Sequence, residues 1–480
     1  MDRRTFVQFG ALASGVLLAR QAQAQVQAQA ADPHAGHHGH MNHGHGGHTG
    51  HSGHDLSSPH SSPAGADSAS PPRGQLITSP VVAPGGQRGV ITPNGSTLPL
   101  RTVDGVKVGH LVAMPLRHTF APGLEAEVWG YNGSTPGPTI EAVEGDRIRL
   151  YVTNRLPEPT TVHWHGLIVP SGMDGVAGLS QAPIAPGETF VYEFTLSRPG
   201  TFMYHPHYDE MTQMALGMVG MFIVHPRRPK GPRVDRDFVL MTHEWKLRPG
   251  ARRPDPNEMN DFNVLTFNSR AYPGTEPLVI RKGERVRIRF GNLSANDHHP
   301  IHLHGLWFET TETDGGQVPR SARFPETTVL VPVGTTRVIE FTATEPGDWA
   351  MHCHMTHHAM TQMGHGLPVM VGADGQALDQ KIQKVLPAYM TMGHTGMGGM
   401  GEMAMPVPAN SLPMRGAPGP FGYIDMGGMF TVLKVRDADS KEDARGYYQP
   451  PAGTQAVRAQ ADRMRQDGID AGQRFEPNKG

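Results

Sequence analysis

Glu144-Gly145-Asp146-Arg147-Ile148-Arg149-Leu150 is echoed by Lys282-Gly283-Glu284-Arg285-Val286-Arg287-Ile288. In each copy a charged, glycine-containing turn opens onto a run of alternating polar and apolar residues. Side chains on a β-strand point to alternate faces, so this alternation predicts a strand. The likeness continues beyond the strand. Each copy passes through an Asn-containing turn to a His-rich motif, at 163–165 or 299–304. Each then passes through Pro186-Gly187 or Pro332-Val333-Gly334 into a further strand, and a second His motif follows at 205–207 or 352–354. Two copies of one β-sandwich is the simplest account. The expected domains are 95–226 and 237–375, joined by the Pro/Arg/Lys stretch from His225 to Asp235.

Outside this repeat the texture changes. The chain has 480 residues, a net charge of −2 and a mean hydropathy of −0.40. The charge balance leaves no basic footprint for nucleic acid. The first residues, Met1-Asp2-Arg3-Arg4-Thr5-Phe6-Val7, lead into an apolar run and then Ala22-Gln23-Ala24. That is the pattern of a secretory signal over 1–24, and its paired arginines suggest the twin-arginine route. A periplasmic protein without a membrane span is therefore expected. Residues 25–94 form a low-complexity arm with ten histidines between His34 and His60. Such a composition cannot bury a core, and disorder is expected. Residues 376–480 form an extension with a Met/Gly-rich part, 390–414, whose thioethers suit Cu(I). A strand-like run, Met429-Phe430-Thr431-Val432-Leu433-Lys434-Val435, follows it.

The only cysteine stands in Met351-His352-Cys353-His354, so no intrachain disulfide is available. On a strand Cys353 faces one way and the two histidines the other. His358 lies five residues on and Met363 ten. Cys, His and a weak thioether are three of the four ligands of a blue-copper site. His299 is offset by an odd number of residues from His302 and His304, so it can serve that other face and complete the set. Eight further histidines of the repeat form four His-x-His pairs: His163 with His165, His205 with His207, His302 with His304, and His352 with His354. Residues i and i+2 share a face, so each pair can converge on one metal cluster.

These stretches, with Gly137-Pro138-Thr139-Ile140 and His163-Trp164-His165-Gly166-Leu167, resemble the laccase-like multicopper oxidases over roughly residues 95–375. The resemblance implies an all-β chain of two cupredoxin-like Greek-key sandwiches between disordered tails. It implies type 1 copper on His299, Cys353 and His358, with Met363 axial. Type 2 copper would sit on His163 and His302. The binuclear type 3 pair would sit on His165, His205, His207, His304, His352 and His354. Four coppers per active unit would pass single electrons from a phenol, an aromatic amine or a metal ion such as Cu(I) or Mn(II) to O₂, giving water. Asp174 matches a carboxylate that the family often places near the trinuclear cluster, where it could relay protons; Asp209 and Glu210 are weaker candidates.

Only 91 residues lie between His207 and His299, too few for an inserted third domain. The resemblance is therefore to the two-domain subclass with type 1 copper in domain 2, whose members are homotrimers with trinuclear sites between subunits. Some of these have a tyrosine just after the first motif; Leu167, Ile168 and Val169 stand there instead. The competing readings are a copper nitrite reductase, whose type 1 ligands lie in domain 1, and a non-catalytic periplasmic copper-binding protein.

Overall fold

The computed structural model describes residues 89–248, 250–360, 375–385, 409–412, 416–439 and 444–472. The expected signal, most of the His-rich arm, Met363 and nearly all of the Met/Gly-rich part lie outside the described residues.

The chain is all-β, as expected. Among the described residues the α-helices are the short segments Glu210–Ala215, Gly375–Ile382 and Ala461–Gln466. A first sandwich sets a five-stranded sheet against the three strands Ile140–Val143, Gly220–His225 and Gly200–Tyr204. The larger sheet runs Arg101–Val103, Val106–Ala121, Arg147–Asn154, Thr189–Thr195, with Leu124–Tyr131 on the second strand. The second sandwich repeats the plan. Arg147–Asn154 lies parallel to Val106–Ala121 and antiparallel to Thr189–Thr195. Arg285–Asn292 likewise lies parallel to Arg236–Trp245 and antiparallel to Thr335–Thr342. Even the turns match. Gly145 and Gly283 sit at φ +82° and +88°, a left-handed conformation that favours glycine.

The Asn at the end of each repeated strand holds the loop that carries the first His motif. Asn154 Nδ2 donates to Glu158 O and Ile184 O, and its Oδ1 accepts the Leu156 N–H. Asn292 Nδ2 donates to Asp297 O and Val331 O, and its Oδ1 accepts the Ser294 N–H. The same side chain thus pins both loops before His163 and His299.

The strand expected at 429–435 forms as Phe430–Arg436, and it lies between Leu278–Arg281 and Gly347–Cys353 in the second sandwich. The second sandwich therefore takes in a segment well beyond residue 375, where the sequence pattern placed its end. Leu433 and Val435 belong to the same buried cluster as Cys353, Ile301 and Phe290, so apolar burial draws the distant strand in.

The two sandwiches share buried contacts. Met203, Met221 and Ile223 of the first pack with Val239, Met241 and Leu293 of the second. A buried charge pair reinforces this seam. Asp237 binds Arg289 through both oxygens at 2.8 and 2.9 Å, and Arg289 Nη1 donates to Thr201 Oγ1 at 2.7 Å. Burial works to raise the Asp237 carboxyl, but the Arg289 and Arg287 charges hold it below its ordinary range. Asp237→Ala strands Arg289 at 3% exposure. A loss of about 3–5 kcal/mol is expected, read by denaturant unfolding, and a change under about 1 kcal/mol would contradict the pairing.

Candidate metal centre

The alternation expected of the His-x-His pairs is realised in three of the four. Between His163 and His165, Trp164 is fully buried and meets Tyr192 edge-on at 5.2 Å. Between His302 and His304, Leu303 is buried, and between His352 and His354, Cys353 is buried. In these three motifs the central residue is anchored in the apolar core, while the flanking imidazoles share the other face.

Strand pairing then brings the motifs together in the same way twice. His163 and His205 face each other across an isolated antiparallel bridge, with N–O distances of 2.7 and 3.2 Å. His302 opposes His352 in the antiparallel pair of His299–Leu303 with Gly347–Cys353. Each sandwich so gathers four imidazoles. In the first, ring centroids from His163 to His165, His205 and His207 are 5.7, 5.4 and 5.7 Å apart. In the second, those from His302 to His304, His352 and His354 are 4.8, 5.7 and 5.5 Å apart. Among the described residues, no ring contact joins one foursome to the other. His304 and His354 are exposed, and His163, His165, His207 and His302 are half-buried.

Backbone oxygens take one nitrogen of several of these rings. His163 Nδ1 lies 2.8 Å from Asp174 O, and His205 Nδ1 lies 2.9 Å from Pro206 O. His302 Nδ1 lies 2.8 Å from Thr327 O, and His352 Nδ1 lies 2.9 Å from Cys353 O. A carbonyl accepts, so Nδ1 carries the proton and Nε2 keeps its lone pair. Burial lowers His205 to about 3 and also lowers His165, His304 and His352, which keeps these rings neutral. Asp174 Oδ1 approaches His163 Nδ1 at 3.4 Å, and Glu210 Oε1 approaches His205 Nδ1 at 3.4 Å. Asp209 precedes this helix at φ +43°.

The opposite face of the Cys353 strand holds a second, buried group. Cys353 Sγ lies 3.4 Å from His358 Nδ1 and 3.8 Å from His299 Nδ1, and the two Nδ1 atoms are 3.2 Å apart. All three side chains are buried. The far nitrogens are occupied: His299 Nε2 bonds Ser294 Oγ at 2.8 Å, and His358 Nε2 bonds Asp297 Oδ2 at 3.2 Å. The Asp297 carboxylate accepts the His358 Nε2–H, which leaves the His358 Nδ1 lone pair aimed, with His299 Nδ1 and the Cys353 thiol, at one point. Burial pushes the Cys353 thiol up to about 12 and holds His299 well below the ordinary imidazole range. Only a cation would supply the charge that makes this cavity favourable for a thiolate. A soft thiolate with two imidazoles fits copper.

The neighbouring histidines do not compete for this point. His298 Nδ1 accepts the Val333 N–H at 3.1 Å, and His357 packs edge-on against His358 at 4.3 Å. Sequence reasoning missed Ser294, Asp297 and Glu244. Glu244 Oε1 accepts the Asn296 N–H at 2.6 Å and the Asp297 N–H at 3.3 Å. Burial, and then the Asp297 charge, push Glu244 up to about 8, while the His358 hydrogen bond holds Asp297 below its usual range. Ser294 and Asp297 lie in the loop after Arg285–Asn292 and Glu244 lies in the strand Arg236–Trp245, and no periodicity marks any of them as a neighbour of the Cys353 group.

A β-sandwich with a buried Cys-His₂ group on one sheet face and imidazole clusters on the other defines a copper protein of the cupredoxin kind. Multicopper oxidase family models match residues 115–229 and 248–373. The chain belongs to the multicopper oxidase family, whose metal is copper. It is 32% identical to copper resistance protein A of Escherichia coli over 244 residues, 41% of this chain and 40% of that protein. It is 34% identical to laccase-1 of Cryptococcus neoformans var. grubii over 225 residues, 41% of this chain and 36% of that protein. The matched stretch thus spans well under two thirds of these curated relatives. In fold it is similar to a blue copper oxidase from Nitrosomonas europaea, with a TM-score of 0.50 and 24% identity over 68% of this chain and 85% of that one.

Proposed function

We propose that this chain is a laccase-like oxidase that couples one-electron oxidation of phenols or metal ions such as Cu(I) to reduction of O₂ to water. The observation that carries this is the coexistence of a buried Cys-His₂ group with two four-imidazole sets in one chain. A carrier would need no buried thiolate site, and a nitrite reductase would not need all eight imidazoles. Bound copper would supply one-electron redox chemistry at the first group and O₂ binding at the imidazole sets.

The protein's own part is to hold and separate these sites. Cys353, with His299 and His358, would hold type 1 copper in a water-free pocket. Ser294 and Asp297 orient the two imidazoles. His352 and His354 flank Cys353 in the chain, so the covalent link from the buried site to the imidazole face is short. His163 and His302 would hold type 2 copper; His165, His205, His207, His304, His352 and His354 would hold the type 3 pair. Asp174, at 3.4 Å from His163 Nδ1, and Glu210 can hold protons on their carboxyl oxygens beside the first foursome. Met363, the implied fourth type 1 ligand, falls outside the described residues.

Each foursome is half of a trinuclear site, so a homotrimer that joins the first sandwich of one subunit to the second sandwich of the next would complete it. Several facts support that arrangement. No ring contact joins the two sets within the chain, among the described residues. Large exposed apolar residues lie between the two His pairs of each set in sequence: Ile168 and Leu179 in the first, Trp307 and Leu330 in the second. Such side chains are suited to burial by another subunit.

Export to the periplasm, by the twin-arginine route, completes the proposal. A role in copper tolerance is supported by likeness to copper resistance protein A and by the ten clustered histidines at 34–60. The test is O₂ uptake by the copper-loaded protein with a phenol and, separately, with Cu(I). Uptake with either donor supports the oxidase, and the faster donor identifies the substrate class. A copper-loaded protein that takes up no O₂ with either donor overturns it.

A further inference from the structure

We propose that Glu244 is a positioning residue for the type 1 site. It holds the backbone of Asn296 and Asp297 so that the Asp297 carboxylate stays on His358, and through that bond it lowers the type 1 potential. The proposal rests on the type 1 reading of Cys353, His299 and His358.

The internal repeat holds a control. Asn154 and Asn292 end equivalent strands, and their partners in the parallel pairing are Ala113 and Thr242. Each asparagine pins the loop that follows it through the same three bonds. In the first sandwich these go to Glu158 O, Ile184 O and the Leu156 N–H. In the second they go to Asp297 O, Val331 O and the Ser294 N–H. Glu158 and Asp297 are therefore equivalent positions, and each carries a carboxylate. Their side chains differ in direction. Glu158 is exposed, whereas Asp297 is half-buried with its Oδ2 3.2 Å from His358 Nε2. The asparagine pin is common to both copies, so something else turns Asp297 inward.

Two residues beyond Ala113 stands Pro115, and two beyond Thr242 stands Glu244. A proline ring offers the loop no acceptor. Glu244 Oε1 instead accepts the Asn296 N–H at 2.6 Å and the Asp297 N–H at 3.3 Å. Glu244 is 1% exposed, and a carboxyl withdrawn from water is costly unless its bonds compensate. The sandwich without a cysteine does without this carboxyl; the sandwich with Cys353 has it.

Asp297 acts in turn on the copper ligand. A carboxylate that accepts the Nε2–H fixes the tautomer with Nδ1 free and makes the ring a stronger donor. A stronger donor and a nearby negative charge both favour Cu(II) over Cu(I). Withdrawing Asp297 from His358 should therefore raise the potential.

The experiment measures the visible spectrum and the type 1 reduction potential, at neutral pH, of copper-loaded wild type, E244Q, E244D, D297N and E244D/D297N. Burial and the Asp297 charge push Glu244 up to about 8, so at neutral pH it is the uncharged acid, and E244Q keeps both its charge and its reach. E244D keeps the carboxyl but withdraws it by one methylene. These conservative changes are expected to fold, with circular dichroism as the check. D297N should raise the potential by at least tenfold in the one-electron equilibrium constant, about 59 mV. E244D should raise it by at least threefold, about 28 mV, and E244Q should stay within twofold of wild type. E244D/D297N should match D297N, because Glu244 acts through Asp297 and the two effects do not add. A purely structural strut would shift the potential equally in both backgrounds. No rise from D297N or from E244D, an E244Q shift as large as that of E244D, or an E244D shift that persists in full beside D297N overturns the proposal. A wild-type protein that binds copper without a type 1 band fails the type 1 reading itself; a blue wild type with additive shifts fails the positioning role alone.

Discussion

Cys353→Ser is expected to abolish the intense visible band near ~600 nm and to reduce donor-driven O₂ uptake to the background of the metal-free protein. The band requires a sulfur-to-copper transition, and Cys353 is the only thiol in the chain. A serine hydroxyl is harder and far less acidic than a thiol in the same pocket, where burial, with the Asp297 charge, already pushes the thiol up to about 12. The variant should lose one copper per chain and keep the others, because His352 and His354 lie on the opposite face from Cys353 and the other six imidazoles lie on other segments. A hydroxyl without a partner here costs about 1–3 kcal/mol, which a protein of this size can tolerate. Circular dichroism should match the wild type. Retention of the blue band would place the chromophore elsewhere and end the assignment.

Two inactive variants are expected to rescue each other. His163→Ala with His165→Ala breaks the first foursome; His302→Ala with His304→Ala breaks the second. Neither protein alone should reduce O₂. In a ring where each site uses one sandwich from each of two neighbours, every mixed trimer rebuilds one intact site. Random co-assembly should then recover roughly a quarter of the wild-type rate. If both foursomes of one chain made the site, each chain would carry a broken half and mixing would restore nothing. Mixed oligomers that form, by mass spectrometry of differently tagged chains, yet stay inactive would contradict the intersubunit site.

Much of this was legible because β-structure writes its faces into the sequence with period two. Arg147–Leu150 and Arg285–Ile288 show the repeated strand, and each His-x-His pair shows its shared face directly. The odd offset of His299 from His302 placed it with Cys353 for the same reason. What depends on long-range pairing was not legible. Phe430–Arg436 reads as a strand from its own residues, but nothing local says that it lies beside Gly347–Cys353, nearly eighty residues earlier. Arg287 and Arg289 look like the solvent face of an alternating strand. They are largely withdrawn from water because Thr201 of the first sandwich meets Arg289, and Asp237 and Glu340 carry the matching charges, Asp237 on Arg289 and Glu340 on Arg287. Ser294 and Asp297 sit in a loop whose direction is set by Asn292, and no spacing rule reports which way their side chains turn.

The central claim is that one chain carries both the site that accepts single electrons and the imidazoles that deliver them to O₂. The most direct measurement is anaerobic titration of the copper-loaded protein with a one-electron donor, followed by addition of O₂. The account predicts that the blue band bleaches on reduction and returns on O₂ addition, with one O₂ consumed per about four electrons and no peroxide released. A band that bleaches but does not return with O₂, or that returns with stoichiometric peroxide, would contradict it.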